Sequence, residues 1–436
     1  MIALENKILQ ITRTHKSGQR IGITSICSAN PFVIKAAINH SKKNNRLLLI
    51  EATSNQVDKF GGYTGLTPAL FRQSVLETAQ KLNFPSENLV LGGDHLGPNR
   101  WQNEKSETAL EKAREQISAY INAGFCKIHL DASMKCADDG DRNKPLDPAI
   151  AAERSAILCK AAEDAAGSQN SETLPVYIIG TDVPPPGGAK KQADDMHITQ
   201  VEDVGETIRL TEKAFQKYNL TDAWERVIGI VVQPGVEFGD AEVCEYDRNK
   251  SKDLAEFIEK FPSLVYEAHS TDYQKKESLS QMVKDHFAIL KVGPWLTYKF
   301  REAVFSLALI EEELLAGKKG AASSNLIEVV ENRMLEYPDY WEKYYSADEA
   351  ENRLKRKYSY SDRIRYYWSD KKVNESLNRL ISNLSEYHIP HTLLSQYLPE
   401  EYTAVRAGTI LANPEEIIQH RISGVLDIYH NATTGG

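Results

Sequence analysis

Eight short apolar runs, separated by segments of helical period, constrain this chain more than any other feature. They are Ile21 to Cys27, Leu47 to Thr53, Leu89 to His95, Cys126 to Ser133, Val176 to Val183, Val227 to Gly235, Ser263 to Ser270 and Ala288 to Pro294. Each is rich in Ile, Val and Leu, is too short for a helix, and is bounded by Gly, Pro, Ser or Asn, as strands buried on both faces are. Between them, Glu104 to Ala123, Pro148 to Ala166 and Val204 to Tyr218 carry apolar residues on one face and charged residues on the other. Strand and helix in alternation give a parallel sheet, and eight repeats are the number that closes a (β/α)8 TIM barrel. The competing fold, an open doubly wound sheet, lacks support because no Gly-x-Gly-x-x-Gly follows the first run.

After the strongly apolar helix Phe300 to Ala316 no further strand-like run occurs. The spacing therefore predicts an α/β barrel over 1–316 and a helical extension over 317–436, packed on the barrel or at a subunit interface. The extension holds aromatic clusters, Tyr337-Pro338-Asp339-Tyr340-Trp341 and Tyr366-Tyr367-Trp368, with too little basic interleaving to stack on bases. Across the chain 52 Lys and Arg stand against 61 Asp and Glu, a net charge of −9. With no long basic block, nucleic acid and anionic membrane are excluded as principal partners. No apolar stretch is long enough to span a bilayer and the N-terminus has no apolar leader, so a cytoplasmic protein is expected. The five cysteines form no Cys-x-x-Cys pair and read as reduced structural residues.

In barrel enzymes the active site sits at the C-terminal ends of the strands, and here those ends are polar. They carry Glu51, Asp94-His95, His129-x-Asp131, Asp182, Gln233, Glu267-x-His269 and Lys291. Strand side chains alternate faces, and the outer face must pack on helices, so Glu267 with His269, His129 with Asp131, and Glu51, Asp94, Asp182 and Lys291 point inward. His95 is out of phase with Asp94 and is expected to be carried inward by the turn beginning at Gly97-Pro98. Burying so many ionisable groups costs several kcal/mol per unpaired charge, and a divalent cation would offset them. Neutral imidazoles of His95 and His269, with oxygens from Glu267, Asp131 or Gln233, suit zinc or manganese. His129, His15 and His286 read as structural histidines. Lys291 reads as a counter-ion, with a phosphate-binding or Schiff-base lysine as the alternative. The glycine-bearing segments Gly61 to Gly65 and Pro186 to Gly188 have the character of substrate-covering loops, and Asp138 to Asp141, lacking calcium-loop spacing, that of a solvated loop.

Longer motifs carry a resemblance. Glu51-Ala-Thr-Ser-Asn-Gln-Val, Gly61-Gly-Tyr-Thr-Gly, Gly92-Gly-Asp-His-Leu-Gly-Pro98, Lys127-Ile-His-Leu-Asp-Ala-Ser133, Val232-Gln-Pro-Gly-Val-Glu-Phe238, Tyr266-Glu-Ala-His-Ser-Thr-Asp272, Leu290-Lys-Val-Gly-Pro294 and Ser361-Asp-Arg-Ile-Arg-Tyr-Tyr-Trp368 together resemble the GatZ/KbaZ family, associated with D-tagatose-1,6-bisphosphate aldolase. That family is distantly similar to the zinc-dependent class II aldolases. The resemblance implies Asp94 as catalytic acid/base, with His95 and His269 as metal ligands. Gln233 stands where the aldolases have their third histidine, so a three-histidine site is not expected. Gly293 replaces a substrate-contacting asparagine, and Asp182 a glutamate.

Members of the family are also assigned as metal-dependent 4-epimerases of ketoses and ketose phosphates, an activity that uses these residues better. The implied site holds zinc, with manganese, cobalt or nickel as substitutes, on His95, His269, Gln233 and Glu267. Asp94, Glu51, Glu267 and Lys291 are its catalytic residues, and Asp131 and Asp182 bind substrate together with Arg100, Arg363 or Arg365, which would hold a phosphate. Two routes fit: C3–C4 cleavage and re-addition begun by Asp94, or direct proton removal by Glu51 and Glu267. The alternatives are a non-catalytic subunit stabilising a class II aldolase chain, or aldolase cleavage itself. A homo-oligomer is expected.

Overall fold

Strands that are apolar on both faces have no edge that tolerates water, and closure removes the edges. In the computed structural model, which describes residues 6–142, 144–168, 173–180, 197–318, 320–345 and 347–435, the eight runs form a closed parallel barrel. Its strands are β1 (Ile23–Ile26), β2 (Leu48–Thr53), β3 (Leu89–Leu96), β4 (Lys127–Leu130), β5 (Val176–Ile179), β6 (Val227–Val231), β7 (Val265–Ala268) and β8 (Phe287–Val292). Each pairs with its neighbours in sequence, and β1 closes on β8 with Ile23 opposite Ile289 and Ser25 opposite Lys291. Several strands are shorter than the apolar runs because the last residues of those runs leave the ladder to form the mouth. A two-stranded antiparallel ribbon, Glu237–Phe238 with Val243–Cys244, follows β6; with two residues per strand it carries no periodicity in the sequence.

Two apolar cores follow from the alternation of side chains. Outward residues such as Ile50, Ala52, Tyr266, Ala268 and Leu290 pack under the helices, whereas Leu49, Val90, Ile178, Val265 and Ile289 fill the interior. Ile8 and Leu9, from the helix Lys7–Lys16, join the interior core and plug its floor. Asn6 caps that helix by accepting from the Ile8 N–H at 2.9 Å, and its amide donates to the Cys126 carbonyl at 2.9 Å, so one side chain starts the helix and fastens it under the barrel. One pleat above Leu49, Val265 and Ile289, the same inner face presents Glu51, Glu267 and Lys291. The apolar layer is thus the platform of the site.

Among the described residues beyond 320, only helical elements occur. The last helix, Pro414–Thr433, packs against Pro31–Lys43, Lys276–Lys284 and Pro294–Leu315, and its Tyr429 hydroxyl donates to the Thr271 carbonyl at 2.7 Å. The aromatic clusters meet barrel residues. Tyr366 packs edge-on against Tyr63, with centroids 4.7 Å apart, and Trp368 against Phe300 at 5.0 Å. Asp138, Gly140 and Asp141 are exposed, as expected of a solvated loop. Asp139 between them is half-buried in a two-pronged pair with Arg154, at 2.8 and 2.7 Å, and Asp138 accepts from the Ser106 N–H at the start of a helix. Among the described residues no helix is long and apolar enough to cross a membrane.

Ile8→Ala removes a fully buried side chain from the floor, where little can collapse into the space. It is expected to cost about 2–5 kcal/mol, read as a lower urea midpoint than wild type with unchanged far-UV circular dichroism before the transition.

Candidate active site at the barrel mouth

The inner-face residues at the strand ends converge on one buried ion network. Lys127, on β4, lies between Glu51 Oε1 at 2.5 Å and Glu267 Oε2 at 2.6 Å. Lys291, on β8, contacts Asp94 Oδ1 at 2.5 Å, Glu51 Oε2 at 2.8 Å and Glu267 Oε1 at 3.4 Å. Glu51, Lys127 and Glu267 are wholly inaccessible, so the pairing is undiluted by water. Glycine makes room for it: a Cβ on Gly92 would come within 2.7 Å of Glu51 Cγ. Lys127 was not singled out from the sequence, although the period that turns His129 and Asp131 inward also turns Lys127 inward.

Three imidazoles stand beside this network. The ring centroids of His95, His129 and His269 are 4.9–5.2 Å apart in each pair. Each ring has one nitrogen against a carboxylate: His95 Nδ1 with Asp131 Oδ2 at 2.8 Å, His129 Nδ1 with Asp94 Oδ1 at 3.0 Å, and His269 Nε2 with Glu267 Oε1 at 3.0 Å. Ionised carboxylates only accept, so these nitrogens donate. The His95 backbone N–H also approaches His129 Nδ1, at 3.3 Å, but the shorter contact to an acceptor-only group decides the tautomer. That leaves His129 Nε2 with a lone pair, buried and without a hydrogen-bond partner. Ligand atoms of Asp94, His129, Glu267 and His269 all lie within 4.8 Å of one another. A carboxylate behind each imidazole is how proteins orient histidine ligands, and an orphaned lone pair on such a ring fits a metal ion.

A third imidazole joins the two expected: His129 on β4, read from sequence as structural, stands in the same cluster. Gln233 does not join the cluster, because its Oε1 accepts from the Gly235 and Val236 N–H groups at 2.8 and 3.0 Å and closes a turn. His95 does turn inward, but not by the Gly97-Pro98 turn. It adopts a left-handed backbone, φ 50°, and the β3–β4 register shifts between Gly93 and Leu96. Ser270, next to His269, is also left-handed at φ 52°, and strain of this kind in non-glycine residues collects at functional sites. Gly97 has another part: a Cβ there would sit 1.6 Å from the Asp131 carbonyl oxygen, so only glycine lets β3 approach the end of β4. His15 and His286 lie at the opposite end and bond to each other at 3.1 Å.

Electrostatics separates the roles. Burial alone would raise the Asp94 carboxyl, but the charges of His95 and Lys291 and the hydrogen bond from His129 outweigh it and hold Asp94 well below the usual range. Glu267 is likewise held down by Lys127 and Lys291 against its burial. Burial weakens the Lys291 ammonium, yet Asp94, Glu267 and Glu51 overcome this and raise it well above an ordinary lysine. Burial and nearby Lys291 push His269 down to about 3, a neutral imidazole, whereas Asp94 and Asp131 overcome burial and raise His95. Four carboxylates (Glu51, Asp94, Asp131, Glu267) face two ammonium groups, and a divalent cation in place of the His95 proton would balance the remainder.

Above the cluster a cavity of about 80 Å³, open to solvent, is lined by Asp94, His95, His269, Lys291 and Cys27 of the barrel, by Asn55 and Tyr63 of the loop after β2, and by Arg365 and Tyr366 of the extension. Asp272, also lining it, accepts from the Gly293 and Trp295 N–H groups at 3.0 and 2.8 Å, and burial pushes its carboxyl up to about 6. Of the three arginines expected to hold phosphate, only Arg365 lines this cavity. Arg100 is paired with buried Asp58. Arg363 stacks on Tyr344 and donates to the Tyr340 carbonyl at 3.0 Å. Asp182 and the segment Pro186 to Gly188 lie outside the described residues.

Comparison with known proteins gives a family match over nearly the whole chain. A family model described as D-tagatose-1,6-bisphosphate aldolase subunit GatZ/KbaZ-like matches residues 8–434. A solved structure from Sinorhizobium meliloti, described as that of a "probable tagatose 6 phosphate kinase", is 42% identical, with a TM-score of 0.85 over 94% of this chain and 100% of that one. A fructose-bisphosphate aldolase from Campylobacter jejuni is 13% identical, with a TM-score of 0.41 over 89% of this chain and 96% of that one. The fructuronate-tagaturonate epimerase UxaE from Cohnella laeviribosi is 12% identical, with a TM-score of 0.45 over 95% of this chain and 82% of that one. Likeness as low as the last two carries no argument about chemistry.

Two outcomes check the network. Lys127→Met removes the nearer of the two cations that Glu51 and Glu267 share and is expected to cost about 3–5 kcal/mol, whereas Lys160→Met, at an exposed pair with Asp164, should shift the melting temperature negligibly. Lys291, held by three carboxylates, has no free amine to condense with a carbonyl. Borohydride added with a ketose should leave the mass of the chain unchanged, and a reduced adduct on Lys291 would refute its role as a fixed charge.

Proposed function

The chain belongs to the GatZ/KbaZ-like family of D-tagatose-1,6-bisphosphate aldolase subunits, and from that premise we propose that it is a metal-dependent 4-epimerase interconverting fructose-type and tagatose-type ketoses or ketose phosphates. The observation that carries this reading is the triangle of carboxylate-backed histidines, with the orphaned His129 Nε2, beside an ionised Asp94 in an open cavity. A divalent cation, zinc or in its place manganese, cobalt or nickel, would be held by His95, His129 and His269 and supplies Lewis acidity toward the carbonyl and hydroxyl oxygens of a ketose.

The chain's own groups do the rest. Asp131, Asp94 and Glu267 fix the tautomer and direction of the three rings. Asp94 lines the cavity and takes the proton of the C4 hydroxyl. The C3–C4 electron pair then moves toward the C2 carbonyl, leaving an enediolate on the three-carbon fragment and an aldehyde at C4. Turning the aldehyde before the bond re-forms presents its other face, and the proton returns from Asp94 to the new C4 oxygen with inverted configuration. Lys291 places a fixed positive charge where the enediolate charge develops. The competing route, direct proton removal by Glu51 and Glu267, has less support, because both are inaccessible, paired with Lys127, and absent from the cavity wall.

A second reading, a non-catalytic subunit that stabilises a class II aldolase chain, is favoured by the family's description as an aldolase subunit. The third, aldolase cleavage, shares the first half of the route and ends in release of both fragments. We place the enzyme in the cytoplasm, the compartment that suits five unpaired cysteines.

Purified protein loaded in turn with zinc, manganese, cobalt and nickel is expected to convert fructose-type into tagatose-type sugars without free triose. His129→Ala and His269→Ala should each lower bound metal and reduce kcat/KM by about 100-fold or more. Free triose would make it an aldolase. No turnover with any metal, together with a stable complex with an aldolase chain, would make it the subunit. Full activity in chelator-stripped His129→Ala protein would remove the metal from the mechanism.

A further inference from the structure

A second cavity lies away from the mouth, at the starts of β1 and β2, where the last helix, Pro414–Thr433, packs on the helix Pro31–Lys43. Its volume is about 100 Å³, against about 80 Å³ at the mouth. One wall is apolar: Ile23, Ile26, Ala37, Leu48 and Leu426 line it, each no more than 5% exposed. The rest is basic. His40, Arg46 and His430 come to it from three segments of the chain, and Thr24 and Ser41 add hydroxyl-bearing side chains. None of the described lining residues is Asp or Glu, in a chain whose net charge is −9.

The basic groups repel one another. His40 and His430 meet edge to face, with ring centroids 5.6 Å apart. His40 Nε2 is engaged with Asp427 Oδ1 at 3.0 Å, an exposed carboxylate on the last helix. Burial, then the charges of His40 and Arg46, hold His430 below the ordinary histidine value, and the pull of Asp427 does not make this up. The field in the pocket is therefore positive even with that carboxylate counted, and an anion seated among the three groups relieves their repulsion. Size narrows the class of anion. A dry cavity of roughly 150 Å³ takes benzene, so this one suits a molecule of about three or four carbons. An inorganic anion would leave the apolar wall uncovered, and a neutral apolar molecule would leave the basic groups uncompensated.

We propose that this pocket binds a small aliphatic monocarboxylate, its chain against Ile23, Ile26 and Leu426 and its carboxylate among Arg46, His40 and His430. The occupant clamps the extension to the barrel where the two already meet, since the Gly22 N–H at the head of β1 donates to the Thr433 carbonyl at 2.9 Å. The same helix carries Tyr429, whose hydroxyl donates to the carbonyl of Thr271, two residues beyond His269, so steadying it steadies the loop after β7. The site draws on neither the metal nor the ketose chemistry of the mouth and stands or falls separately from them.

The test is calorimetric titration of the metal-loaded full-length protein, at fixed ionic strength in chloride, with sodium propionate, sodium phosphate and 1-propanol. Propionate should bind with a Kd on the order of 1 mM, at least about tenfold more tightly than either of the others. Arg46→Ala, at an exposed position, and His430→Gln should each weaken it by about tenfold, whereas His269→Ala, at the mouth, should leave it unchanged. Binding should strengthen from pH 8 to pH 6, because the anion favours the charged form of His430, whose charged or titratable neighbours are His40, Arg46 and Asp427. Propionate should also slow amide exchange across 414–433 in the wild type and not in Arg46→Ala. Absence of binding, equal binding of 1-propanol or phosphate, full affinity in Arg46→Ala, or loss of affinity in His269→Ala, which would put the anion at the mouth, overturns the proposal.

Discussion

Five charged side chains locked together on an apolar platform are the constraint around which this mouth is arranged. Lys127 and Lys291 lie among Glu51, Asp94 and Glu267 at 2.5–3.4 Å, with Glu51, Lys127 and Glu267 out of reach of water. A buried charge is tolerable only when its partners are in place, and removing one partner costs more than the pair contributes. The network therefore demands that β2, β3, β4, β7 and β8 end at matching heights, and register does this: Glu51 faces Gly92 across β2–β3, and Gly92 faces Lys127 across β3–β4. The small Gly92 keeps the carboxylate and the ammonium in contact where a side chain would separate them.

Two of the three histidines, His129 and His269, depend on the same network. Asp94 and Glu267 each use one oxygen on Lys291 and accept from a histidine, so the groups that neutralise the lysine also orient the rings. This coupling makes the site stiff, and stiffness is what differential stabilisation of a short-lived charge requires. It also leaves more carboxylate than ammonium, so the site that is most expensive to assemble is the one best satisfied by a cation.

A wall around the outer cavity is built differently. It consists of aromatic contacts between the barrel loops and the extension, Tyr63 with Tyr366 and Tyr340, and Tyr273 with Tyr360. Such contacts tolerate variation in what they enclose, whereas the ion network does not. The strands thus carry the ion network, and the extension helps to close the cavity above it.

The sequence by itself determined the barrel and the polarity of its mouth. Eight Ile-, Val- and Leu-rich runs admit little else, and a two-residue period assigns Glu51, Glu267, His269 and Lys291 to the inner face, because that period is a property of the strand alone. What the period cannot say is which inward residues meet, since contacts across a barrel join positions more than a hundred residues apart. His129 could not be placed in the histidine cluster until Asp94 was seen taking one of its nitrogens and leaving the other bare. Gln233 could not be excluded until its oxygen was seen bound to its own turn. His95 turns inward through a left-handed backbone that no local pattern announces. Among Arg100, Arg363 and Arg365, equal in sequence, only the tertiary packing decided which one lines the cavity, because Asp58, Tyr340 and Tyr344 hold the other two away from it.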